Sequence, residues 1–194
     1  MFTGIIESIG QIKSLSQNKG DIELIVKYDE SNFDDISNGD SIAINGICLT
    51  LKSYDSKLLY FDVSIETNSR TAGFKIGQYV NLERSLKIDG RISGHFVSGH
   101  IDSVGKILEI TKKDKCEEWV IQAPKYLMKF ITEKCSVTID GVSLTVNKVK
   151  NERFYINLIP FTLKETCLDN LVLKDKVNIE IDMLARYVEK LMKT

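Results

Sequence analysis

Short runs of hydrophobic and β-branched residues, separated by Gly, Asn and Asp, recur along most of the chain and predict β-strands. In the first half these runs span residues 22–26, 41–44, 48–53, 58–64 and 79–83. Asn45-Gly46 between two runs is typical of a two-residue β-hairpin turn, and Asp140-Gly141 has the same place in the second half. About six short strands in each half are typical of a small antiparallel barrel with Greek-key connections.

Helical periodicity is clear at the end of the chain. From Met183 onward, apolar residues recur at helical spacing with charged residues on the opposite face, and Asp182 is a suitable N-cap. Weaker helix predictions fall in loops at residues 69–73, 124–130 and 163–168. An isolated helix of about 12 residues is marginal in water, so we expect the apolar stripe of the tail to rest on a barrel or on copies of itself.

The two halves of the chain are copies of each other. Residues 3–12 match residues 98–107 at an offset of 95, and SIAINGICLTL at 41–51 matches SVTIDGVSLTV at 136–146 at the same offset. VNLE at 80–83 matches VNIE at 177–180 at an offset of 97, which implies a two-residue insertion in the second copy. A repeat of this length is a whole domain and not a solenoid unit.

The repeat and the strand pattern together predict an all-β fold. We expect two tandem six-stranded antiparallel Greek-key barrels at residues 1–95 and 96–181, followed by a C-terminal α-helix at residues 182–194.

Charge and cysteine usage exclude several classes of function. The 26 Lys and Arg residues nearly balance the 27 Asp and Glu residues, so no net field favours nucleic acid or an anionic membrane. No apolar run approaches the ~20 residues that cross a bilayer, and no secretory signal precedes the first strand, so we expect a soluble cytoplasmic protein. The four cysteines do not correspond between the copies and the two histidines form no ligand cluster, which predicts reduced thiols and no metal site.

Candidate chemistry lies where the two copies agree and where they differ. The shared positions are small, hydroxyl-bearing or glycine residues that suit a flat polar ring: Thr3-Gly4 with Ser98-Gly99, Leu49-Thr50 with Leu144-Thr145, and Thr67 with Thr162. The copies differ at Cys48, which corresponds to Ser143, and at Ile5, which corresponds to His100. Cysteine and histidine serve as nucleophiles and acid–base groups, although a buried structural cysteine is the commoner case. The residues alone predict twin barrels with twin pockets for a planar polar ligand.

Five motifs carry a family resemblance: MFTGIIE at the N-terminus, NGICLT at 45–50, SGHFVSGHID at 93–102, DGVSLT at 140–145 and IEID at 179–182. In this order they resemble riboflavin synthase of the α-chain type, which has two lumazine-binding repeats, and the resemblance spans the whole chain. It implies a homotrimer that converts two molecules of 6,7-dimethyl-8-ribityllumazine into riboflavin and 5-amino-6-ribitylaminouracil by four-carbon transfer. It implies no metal or redox cofactor, and it makes lumazine synthase a candidate partner.

The resemblance also implies the residues of the site. The positions that would contact the lumazine rings are Gly4, Ile5, Ile6, Cys48, Leu49, Thr50, Asp62, Val63, Ser64, Ile65, Glu66, Thr67, Gly99, His100, Ile101, Lys134, Ser143, Leu144, Thr145, Asn157, Leu158, Ile159, Pro160, Phe161 and Thr162. Cys48, His100 and Ser143 are the candidate catalytic residues. The link near residues 92–96 is short, so we hypothesise that each site joins the first barrel of one protomer to the second barrel of another.

The alternative from another class is a non-catalytic lumazine- or flavin-binding antenna protein on the same scaffold. Such relatives tend to lose features of the second repeat, whereas this chain keeps SGH at 98–100 and SLT at 143–145. The appearance of riboflavin from ribityllumazine alone would distinguish the enzyme from the carrier.

Overall fold

Strands fill most of each copy of the repeat in the computed structural model, which describes residues 1–18 and 21–192. The first copy contains β1 (Ser8–Asn18), β2 (Asp21–Lys27), β3 (Ser41–Ile44), β4 (Ile47–Tyr54), β5 (Leu58–Ser64) and β6 (Tyr79–Arg84). The second contains β7 (Ser103–Lys113), β8 (Cys116–Gln122), β9 (Ser136–Ile139), β10 (Val142–Lys150), β11 (Arg153–Leu158) and β12 (Lys176–Ile181).

Each set of six strands closes into an antiparallel barrel. The first follows the order β1-β2-β5-β4-β3-β6, and the second has the equivalent order β7-β8-β11-β10-β9-β12. Three consecutive strands pair as hairpins while an earlier strand lies beside the last of them, which is a Greek-key connection. The predicted fold of two tandem six-stranded Greek-key barrels is therefore confirmed.

Alternation along the strands separates a core from an outer face. In β5, Leu59, Phe61 and Val63 are fully buried, whereas Asp62 and Ser64 between and after them are exposed. Successive side chains of a strand point to opposite faces, so this pattern fills the barrel with apolar groups. Each barrel has its own apolar cluster of this kind. The barrel interiors are cores, and the ligand face must lie elsewhere.

Short helices connect the strands, and they differ in position from the predictions. The helices are α1 (Ile65–Arg70), α2 (Pro160–Glu165) and α3 (Met183–Met192), with 3-10 helices at Glu30–Asn32, Met128–Phe130 and Cys167–Asn170. The prediction at residues 69–73 is wrong because α1 begins earlier, where the Ser64 hydroxyl caps it by accepting from the Thr67 amide at 3.0 Å. Likewise α2 begins at Pro160, a favoured first helical position, so the prediction at 163–168 also starts too late. The predicted helix at 124–130 is a 3-10 turn over its last three residues.

The tail helix forms as predicted from its N-cap. The Leu184 amide donates to the Asp182 carboxylate at 2.9 Å, and α3 follows through Met192. Residues 193–194 of the predicted tail lie outside the described residues. Across the described ranges, no helix is long and apolar enough to cross a membrane.

The two barrels meet at the equivalent hairpin turns. Asn45-Gly46 and Asp140-Gly141 have positive φ at both residues, with values of 47°, 78°, 46° and 82° in chain order, as the predicted turns require. A Cβ at Gly46 would lie 2.8 Å from the amide nitrogen of Gly141, and a Cβ at Gly141 would lie 2.7 Å from that of Gly46. Only glycine permits the two turns to stack at this distance.

Hydrogen bonds from two buried side-chain amides stabilise the contact between the hairpin turns. The side-chain amide of Asn81 donates to the backbone carbonyl of Asp140 at 2.9 Å, and that of Asn178 donates to the carbonyl of Asn45 at 3.0 Å. Asn81 and Asn178 are equivalent positions of the VNLE and VNIE motifs, so the contact has an approximate twofold relation between the copies. Buried polar groups that are fully paired fix one arrangement of neighbouring elements.

Candidate active site

The candidate residues of the first copy lie on the outer face of the barrel. Along β4, Leu49 and Leu51 are buried while Thr50 is exposed and Cys48 is half-buried. Because β4 pairs with β5, this face also carries Asp62, which accepts a hydrogen bond from Lys52 at 3.0 Å. The neighbouring strands thus present a thiol, a hydroxyl and a carboxylate side by side.

The second barrel presents the equivalent face. Ser143 is half-buried and Thr145 is exposed on β10, which pairs with β11 ending in the exposed Asn157 and the buried Leu158. The chemical difference between the two faces is the thiol of Cys48 in one and the hydroxyl of Ser143 in the other. The repeat comparison predicts this difference, and the strands place both groups outward.

The segments that precede the barrels are exchanged between them. The Ser143 amide donates to the carbonyl of Gly4 at 2.8 Å, and the Cys48 amide donates to the carbonyl of Gly99 at 2.8 Å. The N-terminal segment therefore lies against the second barrel, while the segment before β7 lies against the first. Ile6 packs on the core of the second barrel and Ile101 on that of the first. Each candidate face consists of parts of both copies.

Two glycines make this exchange possible. Gly4 and Gly99 have φ of 76° and 79°. A Cβ at Gly4 would lie 2.6 Å from the Cβ of Ser143, and one at Gly99 would lie 2.6 Å from the Cβ of Cys48. Both the backbone conformation and the close approach exclude other residues. The conformation places the next residue in each segment, Ile5 or His100, beside the exchanged strand.

A buried carboxylate holds each exchanged segment. One oxygen of Glu83 accepts from the Thr3 amide at 2.7 Å and the Thr3 hydroxyl at 3.0 Å, and the Gly4 amide donates to the same group at 3.1 Å. Glu180 accepts from the amide and hydroxyl of Ser98 at 2.6 and 2.5 Å and from the Gly99 amide at 3.0 Å. Neither glutamate is among the predicted site residues, although each ends one of the repeated motifs VNLE and VNIE.

The sequence matches the lumazine binding domain twice, over residues 3–85 and 98–182. The chain belongs to the lumazine-binding domain family. It is 44% identical to riboflavin synthase of Photobacterium leiognathi over 100% of this chain and 89% of that protein. It is 38% identical to riboflavin synthase of Bacillus subtilis over 99% of this chain and 90% of that protein.

The fold of these two lumazine-binding domains is also similar to a solved structure. The crystal structure of LumP complexed with 6,7-dimethyl-8-(1'-D-ribityl) lumazine superposes with a TM-score of 0.83 at 25% identity, covering 93% of this chain and 99% of that one. The resemblance inferred from the five sequence motifs is confirmed by these comparisons.

The histidines of the lumazine-binding domains occupy different places. His100 is exposed and follows Gly99, so it lies next to the strand that carries Cys48. His95, which sequence analysis did not assign, is buried and its Nδ1 lies 2.7 Å from Oγ of Ser143. Each of the candidate catalytic residues Cys48 and Ser143 therefore has one histidine near it, and only a structure shows the pairing of His95 with Ser143.

Several other predicted residues face away from these surfaces. Val63 and Leu158 are fully buried, and Leu49 and Leu144 are 5% and 9% exposed, so their side chains belong to the barrel cores. Strand alternation explains this, since each lies next to an outward residue of the predicted set. They can offer only backbone atoms to a ligand on the outer face.

The remaining predicted residues lie at the edges of the two faces. Thr67 and Ser64 share a 2.8 Å hydroxyl contact at the start of α1, and Glu66 forms an exposed ion pair with Arg70. Lys134 is exposed at φ 70°, and its amide donates to the Val146 carbonyl at 2.8 Å. The other exposed or half-exposed members are Ile65, Ile159, Pro160, Phe161 and Thr162.

A cleft of about 680 Å³ lies beside the first domain. It is lined in part by Thr3, Ile5 and Ser41, and Ser41 is the register partner of Thr50 on the neighbouring strand. Arg84 at this cleft is held by Glu7 at 2.8 Å and by Asp34. Ser41 is not among the predicted site residues, although it matches Ser136 in the repeat. Among the described residues, no group of three His, Cys, Asp or Glu side chains is placed to hold a metal ion.

Burial of Glu83 predicts that stability depends on pH. Burial raises the pKa of Glu83 to about 7 despite the hydrogen bonds from Thr3 and Gly4, which favour the charged form. Between its ordinary pKa near 4.5 and about 7, the unfolded state has lost the proton and the folded state keeps it. The free energy of unfolding should therefore decrease as pH rises through this window, by up to about 3 kcal/mol for this group.

Denaturant unfolding of the native protein and of Glu83→Gln between pH 5 and pH 8 measures this contribution. Buried Asp140 and Glu180 also have raised pKa values, and His95 has a lowered one, so only the difference between the two proteins isolates Glu83. Glu109→Gln, at an exposed position of β7, is the matched control. Equal pH dependence in the native protein and Glu83→Gln would contradict the prediction.

Proposed function

We propose that this protein is a riboflavin synthase, which converts two 6,7-dimethyl-8-ribityllumazine molecules into riboflavin and 5-amino-6-ribitylaminouracil. The observation that carries the proposal is the pair of matched outer faces that share hydroxyl positions but differ at Cys48 and Ser143. Two similar faces suit two identical molecules, and a chemical difference between the faces suits a reaction in which one molecule gives and the other receives. The full-length relatives named riboflavin synthase support the same conclusion.

The reaction itself needs no oxidant or reductant, because the two products together contain all the atoms of the two substrates. A proton must leave the acidic 7-methyl group of one lumazine, and C7 of the other must accept a nucleophile or form a stabilised adduct. We assign the proton transfer and the nucleophilic role to His100 and Cys48, which lie beside the first barrel, and the stabilisation of the adduct to Ser143 on the second barrel. Holding two reactants in register can lower the barrier by ~7 to 11 kcal/mol when the geometry is ideal.

We further propose that the site forms between protomers of a homotrimer. Thr50, Asp62, Thr145 and Asn157 are exposed in the single chain, which leaves each ligand face open on one side. A second protomer that covers one face with the opposite face would exclude water and bring two lumazines together. In this proposal the domains divide at residues 95 and 96, the enzyme works in the cytoplasm, and lumazine synthase remains a candidate partner.

The activity can be measured from one substrate alone. The purified protein, dialysed against EDTA, should convert two ribityllumazines into one riboflavin and one aminouracil, because both ring systems come from the substrate. Riboflavin fluorescence and chromatographic quantification of both products give the rate and the ratio. A requirement for added metal, or a product ratio far from equal, contradicts the proposal.

Substitution of Cys48 or His100 should reduce turnover more than binding. Loss of a group that transfers a proton in the transition state typically lowers kcat by about 10²- to 10⁴-fold. We expect Cys48→Ala and His100→Ala to reduce kcat within this range while the Kd for ribityllumazine, from fluorescence titration, changes less. Cys116→Ser on β8 is the control thiol. Equal losses in kcat and in affinity would place these residues in binding alone.

Binding without turnover is the second candidate function. The similarity to LumP, whose structure holds ribityllumazine, favours a carrier on the same fold. A carrier would bind the substrate with measurable affinity and leave it unchanged over hours, whereas the enzyme depletes it. The single-substrate assay therefore distinguishes the two functions.

A further inference from the structure

His95 is placed against one of the two reactive positions. Its Nδ1 lies 2.7 Å from Oγ of Ser143, and its side chain is 9% exposed. The chain contains two histidines, and the other, His100, lies near Cys48 on the opposite domain. The proposed mechanism assigns a role to His100, and it assigns none to His95.

The local backbone is built to bring His95 to this point. The His95 amide donates to the Thr3 carbonyl at 3.1 Å, and Gly94 passes directly over the same carbonyl. A Cβ at Gly94 would overlap the Thr3 oxygen and lie 2.9 Å from the Cβ of Ser143. Glycine at position 94 thus allows the link between the domains to run close to Ser143 and fixes where the imidazole starts.

The Cys48 thiol, at the equivalent position of the first domain, makes no hydrogen bond to a histidine among the described residues. A contact required by the shared fold would be expected in both copies. The His95–Ser143 contact is therefore a difference between the two domains, and it involves the same position at which their outer faces differ chemically, Cys48 in the first and Ser143 in the second.

The second ring nitrogen indicates the direction of the hydrogen bond. Nε2 of His95 is buried and has no hydrogen-bond partner among the described residues. Burial lowers the pKa of His95, so its imidazole is neutral near pH 7 and carries one proton. Buried unpaired N–H donors are rarer in proteins than under-satisfied acceptors. The proton is therefore better placed on Nδ1, where it has Oγ of Ser143 as acceptor.

We propose that His95 is a positioning residue that donates a hydrogen bond from Nδ1 to Oγ of Ser143 and directs the hydroxyl hydrogen of Ser143 toward the lumazine on the second domain. Ser143 then acts as a hydrogen-bond donor to the substrate and is not activated as a nucleophile. The role assigned to His95 rests on the proposed function. It goes beyond that function because it gives the second domain a different chemical role from the thiol on the first.

Nitrogen NMR of the two imidazoles tests the geometry in the native protein without any activity. His95 should show the tautomer protonated at Nδ1, and Ser143→Ala should shift the His95 ring signals. Cys48→Ala, the equivalent substitution on the other domain, should leave the His95 signals unchanged. The tautomer protonated at Nε2, or His95 signals that ignore Ser143→Ala, would overturn the proposal.

Isosteric substitutions test the same hydrogen bond in catalysis. Asn can donate to Oγ from the place of Nδ1, whereas an ionised Asp of the same shape can only accept. His95→Asn should keep kcat close to the native value, and His95→Asp and His95→Leu should lower kcat by about tenfold, the effect of one lost hydrogen bond. The Kd for ribityllumazine should change less than kcat. Greater rescue by Asp than by Asn would overturn the assigned direction.

A double-mutant cycle separates positioning from a structural role. In a Ser143→Ala background, His95→Leu should cause no further loss of kcat, because the hydroxyl that it positions is absent. Equal losses in both backgrounds would mean that His95 only supports the fold and would overturn the proposal. If the native protein makes no riboflavin, the proposed function fails, while the NMR result still decides whether His95 holds Ser143 in the stated geometry.

Discussion

Deletion of residues 183–194 should convert the protein into monomers that form no riboflavin. In the single chain, Leu184, Tyr187 and Val188 of α3 are 60%, 63% and 55% exposed. The polar side of the helix instead faces its own domain, where Arg186 contacts Asp102 at 2.6 Å. The apolar stripe of the tail was expected to pack either on a barrel or on copies of itself. The exposure of Leu184, Tyr187 and Val188 excludes packing on the chain's own barrel. We expect copies of the same helix to cover it.

Analytical ultracentrifugation of the native and shortened proteins measures this effect, and the single-substrate assay follows activity. Leu184→Lys combined with Val188→Lys should reproduce the monomer without removing the helix, because it places charges in the apolar contact. Lys190→Ala, on an exposed polar position of the same helix, is the control and should remain a trimer. An active trimer formed by the shortened chain would show that another surface holds the subunits together.

Much of the fold can be predicted because its signals are local. Asn45-Gly46 and Asp140-Gly141 require positive φ at consecutive positions, and these residue types adopt it at little cost, so the hairpins are where the sequence predicts them. The Asp182 N-cap likewise identifies the start of the tail helix. In each case neighbouring residues determine the conformation.

The predicted boundaries of the two short helices α1 and α2 were wrong because the predictions did not include the residues that start them. The cap of α1 is Ser64, which also ends β5, so a residue read as part of a strand supplies the start of the helix. The start of α2 depends on Pro160, whose fixed φ suits a first helical turn. Hydrophobic periodicity predicts a helix from the spacing of its buried apolar residues. The helices α1 and α2 contain no buried residues, so the periodicity gives no information about their length.

The composition of the ligand faces could be predicted only in part. The repeat identifies Cys48 with Ser143 and Ile5 with His100, and strand alternation separates outward Thr50 from inward Leu49. The repeat does not indicate that the segment preceding each barrel packs on the other barrel. An alignment of the two copies shows which residues are equivalent, and it contains no information about contacts between the copies. The contact of His95 with Ser143 depends on that exchange, and it was therefore missed.

The shared site can be tested by blocking one face in each of two chains. Thr50 and Thr145 are exposed on equivalent strands, so Thr50→Arg and Thr145→Arg should fill the ligand faces without disturbing the cores. Each variant alone should be inactive, because every site in its trimer lacks one usable face. A mixed trimer places the intact first domain of one variant against the intact second domain of the other. Such interfaces should recover the reaction.

The amount of recovered activity can be estimated from the symmetry. In every cyclic trimer that contains both chains, about one third of the interfaces, one of the three, join two intact faces, because only one neighbouring pair sets the first domain of the Thr145→Arg chain against the second domain of the Thr50→Arg chain. The chains are co-expressed with two different affinity tags, and only trimers that carry both tags are purified. Thr50→Arg co-expressed with a differently tagged Thr50→Arg chain is the control and should remain inactive.

Riboflavin formation by these doubly tagged trimers is the most direct test of an active site shared between protomers. If the two domains of neighbouring protomers form one site, the mixed trimers should produce riboflavin at a substantial fraction of the native rate while the control produces none. If purified mixed trimers are as inactive as the control, the two lumazines react within a single chain, and the shared site between protomers is wrong.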